Sequence, residues 1–578
     1  MKINNTILIT LLALSGIMSS CGKDWLDVEP KGSLSQYVLA DAKGIDAILT
    51  GAYSMLDGVS SNFGWEAASS NWLYGSIRGL EANKGTDAGD SGYENAIAAF
   101  AETSTHPYLN SKWREVYAAV ARCNSAIVVT NQAVKDGTVS PDQADLFYKQ
   151  AKTLRGWYHF EAWRMWAMIP YLDENTDPNS VTNTEDIREK IIADIREGIT
   201  LPNNMGQVGR FNGTVSKVLL AKALMQMNHD YAGALTLLED VKTNGTKPNG
   251  APVGLAPTYG EIFDIEYRNG IESVYTIQYS VNDGSGGYNG GWGEVLNFPY
   301  KSGGSPGGCC GFYQATQEFV NSFRTSGGLP LLDYSYNNDP VISDQGLTPS
   351  QPFTEDTGPL DPRLDWSVGR RGIPYWDWGV HTGSDWIRDQ SYAGPYSPKK
   401  QVYKKSQEGI YTEVGNWTSG WTANGYRMIR YADVLLLLAE CQIETGDLNG
   451  ALENINLVRA RASIPGGFVK EADGVTPAAN YQITTYPSFP DADYARKALR
   501  MERKLELGME GHRWFDLNRW GGSTVDELNR ALDYEKTTPW GKNSMYWGGN
   551  AVVGPEDVTY PVPQRQIDLS NGRLVQNR

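Results

Sequence analysis

The sequence predicts a mainly α-helical protein, a helical scaffold that carries a large irregular, loop-rich segment. Three observations predict it. Apolar residues recur with a helical period in the first and last parts of the chain. Between Asn244 and Gly425 that period dissolves into glycine, proline, asparagine and aromatic residues. Two distant helical stretches, Ala221 to Leu235 and Ala439 to Leu452, share one pattern.

The first helices are expected over Asp41–Leu56, Ser111–Gln132, Pro141–Met168, Thr184–Gly198, Val215–Asn228 and Tyr231–Val241. Ser140-Pro141 reads as an N-cap followed by proline at the first helical position, and Ser111 as a second N-cap. The middle offers only brief ordered runs. Glu272 to Ile277 reads as a strand, and Thr316 to Phe323 as a short helix. Helix returns over Tyr426–Ala462 and Tyr494–Asn518, and prolines hold the tail Tyr560–Gln564 extended. The expected organisation is a leader over 1–20, a helical region over 21–243, a ligand-binding loop region over 244–425 and a second helical region over 426–578.

Each of the two similar stretches reads as a helix, a tight polar turn and a second helix opening on Gly-Ala-Leu (Gly233-Ala234-Leu235 and Gly450-Ala451-Leu452). Small residues where helices cross closely resemble tetratricopeptide repeats. The copies are too far apart for one continuous array, but the pattern is compatible with stacking in space.

The chain opens on Met1-Lys2-Ile3-Asn4-Asn5, then an apolar run from Ile7 to Met18, then Ser19-Ser20 and Cys21. This is an export leader. The run is shorter than the roughly 20 residues that span a bilayer. A cysteine directly after the small residues reads as a lipoprotein site, cleaved before Cys21 and acylated there. Loss of Lys2 with the leader takes the net charge from -16 to -17. So acidic a chain is unsuited to nucleic acid, or to an anionic membrane surface by charge alone. A lipid on Cys21 is the expected anchor.

Five cysteines in all exclude a disulfide framework, and no spacing suits a zinc site. Cys123 and Cys441 lie in apolar helical contexts and read as buried thiols. Cys309 and Cys310 are adjacent, between Gly307-Gly308 and Gly311, where glycine permits a strained backbone. In an oxidising compartment they can close a vicinal disulfide.

The chain has 18 tryptophans and 32 tyrosines, an excess that serves either core or binding surface. Sugars present apolar C–H faces ringed by hydroxyls. Flat aromatic rings cover the faces, and amide, carboxylate and guanidinium groups meet the hydroxyls. Three glycine-rich aromatic segments fit this chemistry. The first runs from Asn62-Phe63-Gly64-Trp65 to Trp72 and Tyr74. The second holds Tyr288 and Trp292. The third runs from Arg370-Arg371 through Tyr375, Trp376 and Trp378 to Trp386. These aromatic residues are the candidate ligand contacts, with Tyr288, Trp292, Trp376 and Trp378 foremost. Trp157, Trp163, Trp166, Trp514 and Trp520 lie on helices and read as packing. A disulfide at Cys309-Cys310 offers either a sulfur-faced patch for a sugar or a locked turn.

Four motifs resemble the SusD-like (RagB/SusD) family of Bacteroidetes outer-membrane lipoproteins. They are Cys21-Gly22-Lys23-Asp24-Trp25-Leu26-Asp27; Arg427-Met428-Ile429-Arg430-Tyr431-Ala432-Asp433; Glu502-Arg503-Lys504-Leu505-Glu506-Leu507-Gly508-Met509-Glu510-Gly511-His512-Arg513-Trp514-Phe515-Asp516; and the closing Pro561-Val562-Pro563-Gln564-Arg565. The resemblance implies a tetratricopeptide-like scaffold, an outward-facing lipid-anchored protein, and a SusC-like TonB-dependent barrel as partner. On that barrel the lipoprotein acts as a lid that captures glycan for import. Within the third motif, spacing lets Glu502 and Glu506, and Arg513 and Asp516, face one another on a helix. His512 reads as a structural histidine in an ion-pair network, since no second histidine stands one turn away.

Neither a metalloprotease, phosphate-loop, nucleophile-elbow nor dinucleotide motif occurs, and no cofactor or metal is expected. A glycosidase needs two carboxylates about 5–10 Å apart, and Asp283, Glu294, Asp377 and Asp385 are available in the loops. The expected function is non-catalytic glycan capture, with capture of peptide or another nutrient, or surface glycoside hydrolysis, as alternatives.

Overall fold

A computed structural model describes residues 39–59, 64–300, 304–414, 418, 420–543 and 551–578. The leader, Cys21, the first motif and Asn62-Phe63 lie outside the described residues. The fold is mainly helical, as expected, with five two-stranded antiparallel sheets among the described residues.

Helix α1 (Ala42–Ser54) begins where Asp41 accepts the Gly44 N–H. Helices α2 (Pro107–Asp136) and α3 (Pro141–Trp166) form an antiparallel hairpin. Between them Gly137 turns the chain at φ 69°, and Ser140 and Gln143 form a capping box. Helix α2 starts earlier than Ser111 because Pro107 supplies a better first turn and Tyr108 and Leu109 continue its buried stripe. Next come α4 (Arg188–Glu197), α5 (Gly213–Ala223), which relaxes into a π-turn over Leu224–Asn228, and α6 (Tyr231–Asn244).

The C-terminal part holds α7 (Tyr431–Thr445), α8 (Leu448–Ala462), α9 (Ala492–Leu507), α10 (Arg513–Trp520) and α11 (Thr524–Glu535). Helix α7 starts five residues after the expected Tyr426 because Ile429 and Arg430 are drawn into a strand pairing with Tyr275 and Ser273. The expected helix over Tyr494–Asn518 is two helices, interrupted by Gly508 to His512.

The two similar stretches are equivalent in detail. Asp230 accepts from the Gly233 N–H and Asp447 from the Gly450 N–H, the same cap at the same register. The residue before each cap, His229 or Gly446, is left-handed. The hairpins also stack in space. Cys441 Sγ lies 3.6 Å from Met225 Sδ, and the Tyr431 hydroxyl donates to the Lys242 carbonyl. Cys123 and Cys441 are buried free thiols.

Sequence-distant segments are tied together. Strand Ala82–Gly85 pairs with strand Phe312–Ala315. The main core draws on residues from Ala52 to Leu574. A layer of buried charge joins the middle of the chain to the last helices. Arg363 pairs with Asp361, Glu502 and Glu506; Arg430 with Glu272, Glu506 and Glu510; Arg461 with Glu272 and Glu506; and Arg459 with Glu502. Burial alone would raise the Glu510 carboxyl, but Arg430 and Lys400 hold it down at about 2. Glu506 is likewise held down, by Arg461, Arg430 and Arg363 against the cost of burial.

The pairing read from helix spacing is therefore corrected. Glu502 and Glu506 share Arg363, from the middle of the chain. Asp516 pairs with Arg503 and Arg519, whereas Arg513 reaches Glu527. His512 lies among these charges, and burial pushes it down to about 4.

Removing one partner of a buried pair leaves an uncompensated charge. Glu506→Ala is expected to cost about 3–5 kcal/mol, read as a lowered urea midpoint. The exposed pair member Asp493, at Arg496, should lose under about 1 kcal/mol on the same substitution.

Candidate functional site

The first aromatic segment is shaped by close backbone approach. Trp72–Ile77 forms a π-turn, entered through Asn71 at φ 47°. A Cβ on Gly75 would lie 1.8 Å from the Gly511 carbonyl oxygen, so only glycine lets this turn meet the C-terminal motif. That contact draws Trp72 inward. It is 1% exposed, its Nε1 donates to the Gly293 carbonyl at 2.9 Å, and Tyr313 meets it edge-on. Tyr74 is equally buried, donating to the Glu66 carbonyl and packing edge-on to Tyr560. Both leave the set of expected ligand contacts and belong to the core.

The second segment carries the surface. Tyr288 is 69% exposed. Its ring lies 5.6 Å from Trp292 at 31°, and Trp292 lies 5.1 Å from Trp421 at 44°. The glycines between the rings are structural requirements. Gly287 has φ 88°, and a Cβ there would lie 2.6 Å from the Trp421 ring. Trp292 itself is largely covered by these neighbours, so Tyr288 presents the free face of the stack.

Trp65 continues this surface. Gly64 sits against the Trp292 Cβ, and the half-buried Trp65 donates its Nε1 to the Tyr108 hydroxyl at 3.1 Å. Tyr108 donates in turn to Glu94, and its ring lies 5.2 Å from Tyr93, which is 52% exposed. The result is a belt of touching aromatic segments in which Tyr288 and Tyr93 are exposed at the two ends, Trp65 is half-buried between them, and Trp292, Trp421 and Tyr108 are buried supports. Sequence reading missed Trp421, Tyr108 and Tyr93. Gly420-Trp421 and Gly92-Tyr93 carry the same glycine signal as the segments chosen, whereas Tyr108 is hidden by its place in a helix.

The third segment does not join the belt. Tyr375 is fully buried, donating its hydroxyl to the Pro398 carbonyl, and Trp386 packs edge-on against it and against His381. These two are corrected to core residues. Trp376 and Trp378 are half-buried in a separate cluster. Trp376 meets Trp366 at 5.0 Å with the Lys404 ammonium over its ring; Trp378 donates to the Tyr403 carbonyl, with Lys405 over its ring. Arg370 is committed to Asp365.

The carboxylates of these loops serve the turns. Asp283 accepts from the Ser285 N–H and the Asn289 amide. Asp377 accepts from the Lys405 and Ser406 N–H groups. Glu294 is buried, with the Tyr279 hydroxyl 3.5 Å away, and burial raises its carboxyl. Burial likewise raises Asp57 and Glu66, both to about 7. Among the described residues no three acidic, histidine or cysteine groups converge as metal ligands. Cys309 and Cys310 are joined as a disulfide.

Comparison with known proteins adds the following. A model of the SusD family matches residues 271–578, and one described as starch-binding, associating with outer membrane, matches residues 24–247. A SusD-like protein of Formosa agariphila is 22% identical over 534 residues, covering 90% of each chain; another is 24% identical, covering 89% of this chain and 91% of its own. The fold is similar to that of a SusD superfamily protein of Bacteroides vulgatus (TM-score 0.64, 18% identity, 93% of this chain and 99% of that one). It is also similar to a surface glycan-binding protein A of Bacteroides thetaiotaomicron solved with laminarihexaose (TM-score 0.62, 20% identity, 93% and 99%).

Asp57 and Glu66 generate a pH prediction. A carboxyl raised above its unfolded value of about 4 favours the folded state while protonated. Its contribution is full below pH of about 4 and is lost as pH rises through about 7. The melting temperature should therefore fall from pH 5 to pH 8, and Asp57→Asn should flatten that slope, as read by calorimetry across the range.

Proposed function

The chain belongs to the SusD family, and we propose that it is a non-catalytic, lipid-anchored glycan-binding protein of the outer membrane. In this reading it captures oligo- or polysaccharide on the ring belt and delivers it to a SusC-like TonB-dependent transporter. The observation that carries the glycan reading is the Tyr288–Trp292–Trp421 stack, whose outer ring stands 69% exposed on a glycine-built turn. An exposed aromatic plane with little rotamer freedom covers a sugar's C–H face at small entropic cost. Asn289, Asp283 and Ser285 sit beside Tyr288 and offer polar groups for hydroxyls.

Further support comes from relatives whose names and structures state glycan binding, laminarin among the ligands. Beside the Tyr288 turn, Asp283 is bound within the turn and Glu294 is buried. Cys21 and the leader before it support the lipid anchor.

Affinity electrophoresis tests the reading, using gels cast with laminarin, starch, xylan, galactomannan and yeast mannan. Retardation is expected in at least one. Tyr288→Ala and Trp292→Ala should each weaken it at least about tenfold, equal to about 1.4 kcal/mol. Trp376→Ala should leave it near wild type. No retardation in any gel overturns the glycan reading. Trp72→Ala should instead lower stability by about 3–5 kcal/mol, measured by urea denaturation.

A further inference from the structure

The Cys309–Cys310 disulfide stands beside the two segments that carry the inner rings of the belt. Cys310 donates its N–H to the Leu296 carbonyl, and Phe312 donates to the same oxygen. Gly311 donates to Phe298. The cysteine loop thus runs along residues 296–298, the direct continuation of the turn Trp292–Glu294. On its other side the Thr418 hydroxyl donates to the Gly307 carbonyl, and Gly420 presses on Phe298 immediately before Trp421. The loop therefore bridges the Trp292 segment to the Trp421 segment.

Its burial is asymmetric. Cys310 is 7% exposed and belongs to the main apolar core cluster. Cys309 packs against that cluster but is only half-buried, and Gly308 beside it is exposed. One sulfur is anchored in the core while the other keeps a face to solvent. Disulfide sulfur is apolar and polarizable, suited to C–H contact, and the exposed Gly308 beside Cys309 adds no side chain over it.

We infer that the Cys309–Cys310 disulfide is a ligand-contacting wall of the carbohydrate site, closing it beside the Trp292–Trp421 rings. This rests on the glycan reading of the belt. It assigns the two cysteines a role in binding rather than in stability alone.

Two measurements on the full protein test it. The first is retardation of Cys309→Ala/Cys310→Ala in the gel that retards the wild type, beside Trp292→Ala, with melting temperatures of all three. At least fivefold weaker retardation of a double variant that melts within a few degrees of wild type supports the inference. The second is protection of the native disulfide. A phosphine reductant cleaves the S–S bond by giving up two electrons, while water supplies the oxygen of the phosphine oxide and both thiol protons. The thiols are then alkylated and located by peptide mass spectrometry. The retarding polysaccharide should slow alkylation of Cys309 and Cys310 at least threefold, a readout that a purely structural staple would not move. It remains decisive if the double variant fails to fold. Unchanged retardation of a folded double variant, or unchanged alkylation with polysaccharide present, overturns the inference. If Trp292→Ala also keeps full retardation, the fault lies in the belt itself.

Discussion

Glu506 is the residue on which the architecture converges. Its carboxylate has no solvent around it, and three guanidinium groups take the place of water: Arg363, Arg430 and Arg461. One comes from the loop-rich middle, one from the strand before α7 and one from the end of α8. Desolvating a carboxylate costs several kcal/mol unless such partners arrive in good geometry. The charge therefore favours a single arrangement of the three segments. Glu272, Glu502 and Glu510 extend the same layer, so the helical scaffold and the irregular middle meet across ionic contacts as well as oil-like ones.

That rigid seam is what permits loose-looking loops to present a surface. Gly287, Gly290 and Gly291 have no side chain and lie against Trp421 and Tyr279, and Gly64 abuts Trp292. The rings are held by backbone contact from several loops, each braced on the core. Such a surface tolerates change in the outward side chain, because its position is set by glycines beneath. A shared scaffold with varied exposed rings is the expected form for proteins that take different glycans.

The helical scaffold was legible because its signals are local. Period, proline at the first turn, and the Asp-to-Gly cap of each repeat hairpin act over a few residues. The proposed binding surface was legible only as a class of segment. Trp72 and Trp292 have similar polar and glycine neighbours, and what separates them is a contact between them: the Trp72 indole donates to Gly293, 221 residues away. Tyr375 misled for the same reason, since the Pro398 carbonyl takes its hydroxyl from outside the segment, while Trp386 is packed against Tyr375 and His381 within it. The ion pairs show the limit most clearly. Helix spacing assigns Glu502 a neighbour four residues on, whereas its partner Arg363 lies 139 residues back.

Long-range pairing also governs when the molecule comes to exist. Arg78 is fully buried, and its partners are Glu102 and Asp557, the second 479 residues later. Strand Ala82–Gly85 has its partner at Phe312–Ala315. A chain delivered from its N-terminus holds these groups open until synthesis is nearly over, and contacts of such separation close slowly. A copy that lacks the last segment leaves the buried Arg78 with Glu102 but without its second carboxylate, and leaves that end of the core uncovered.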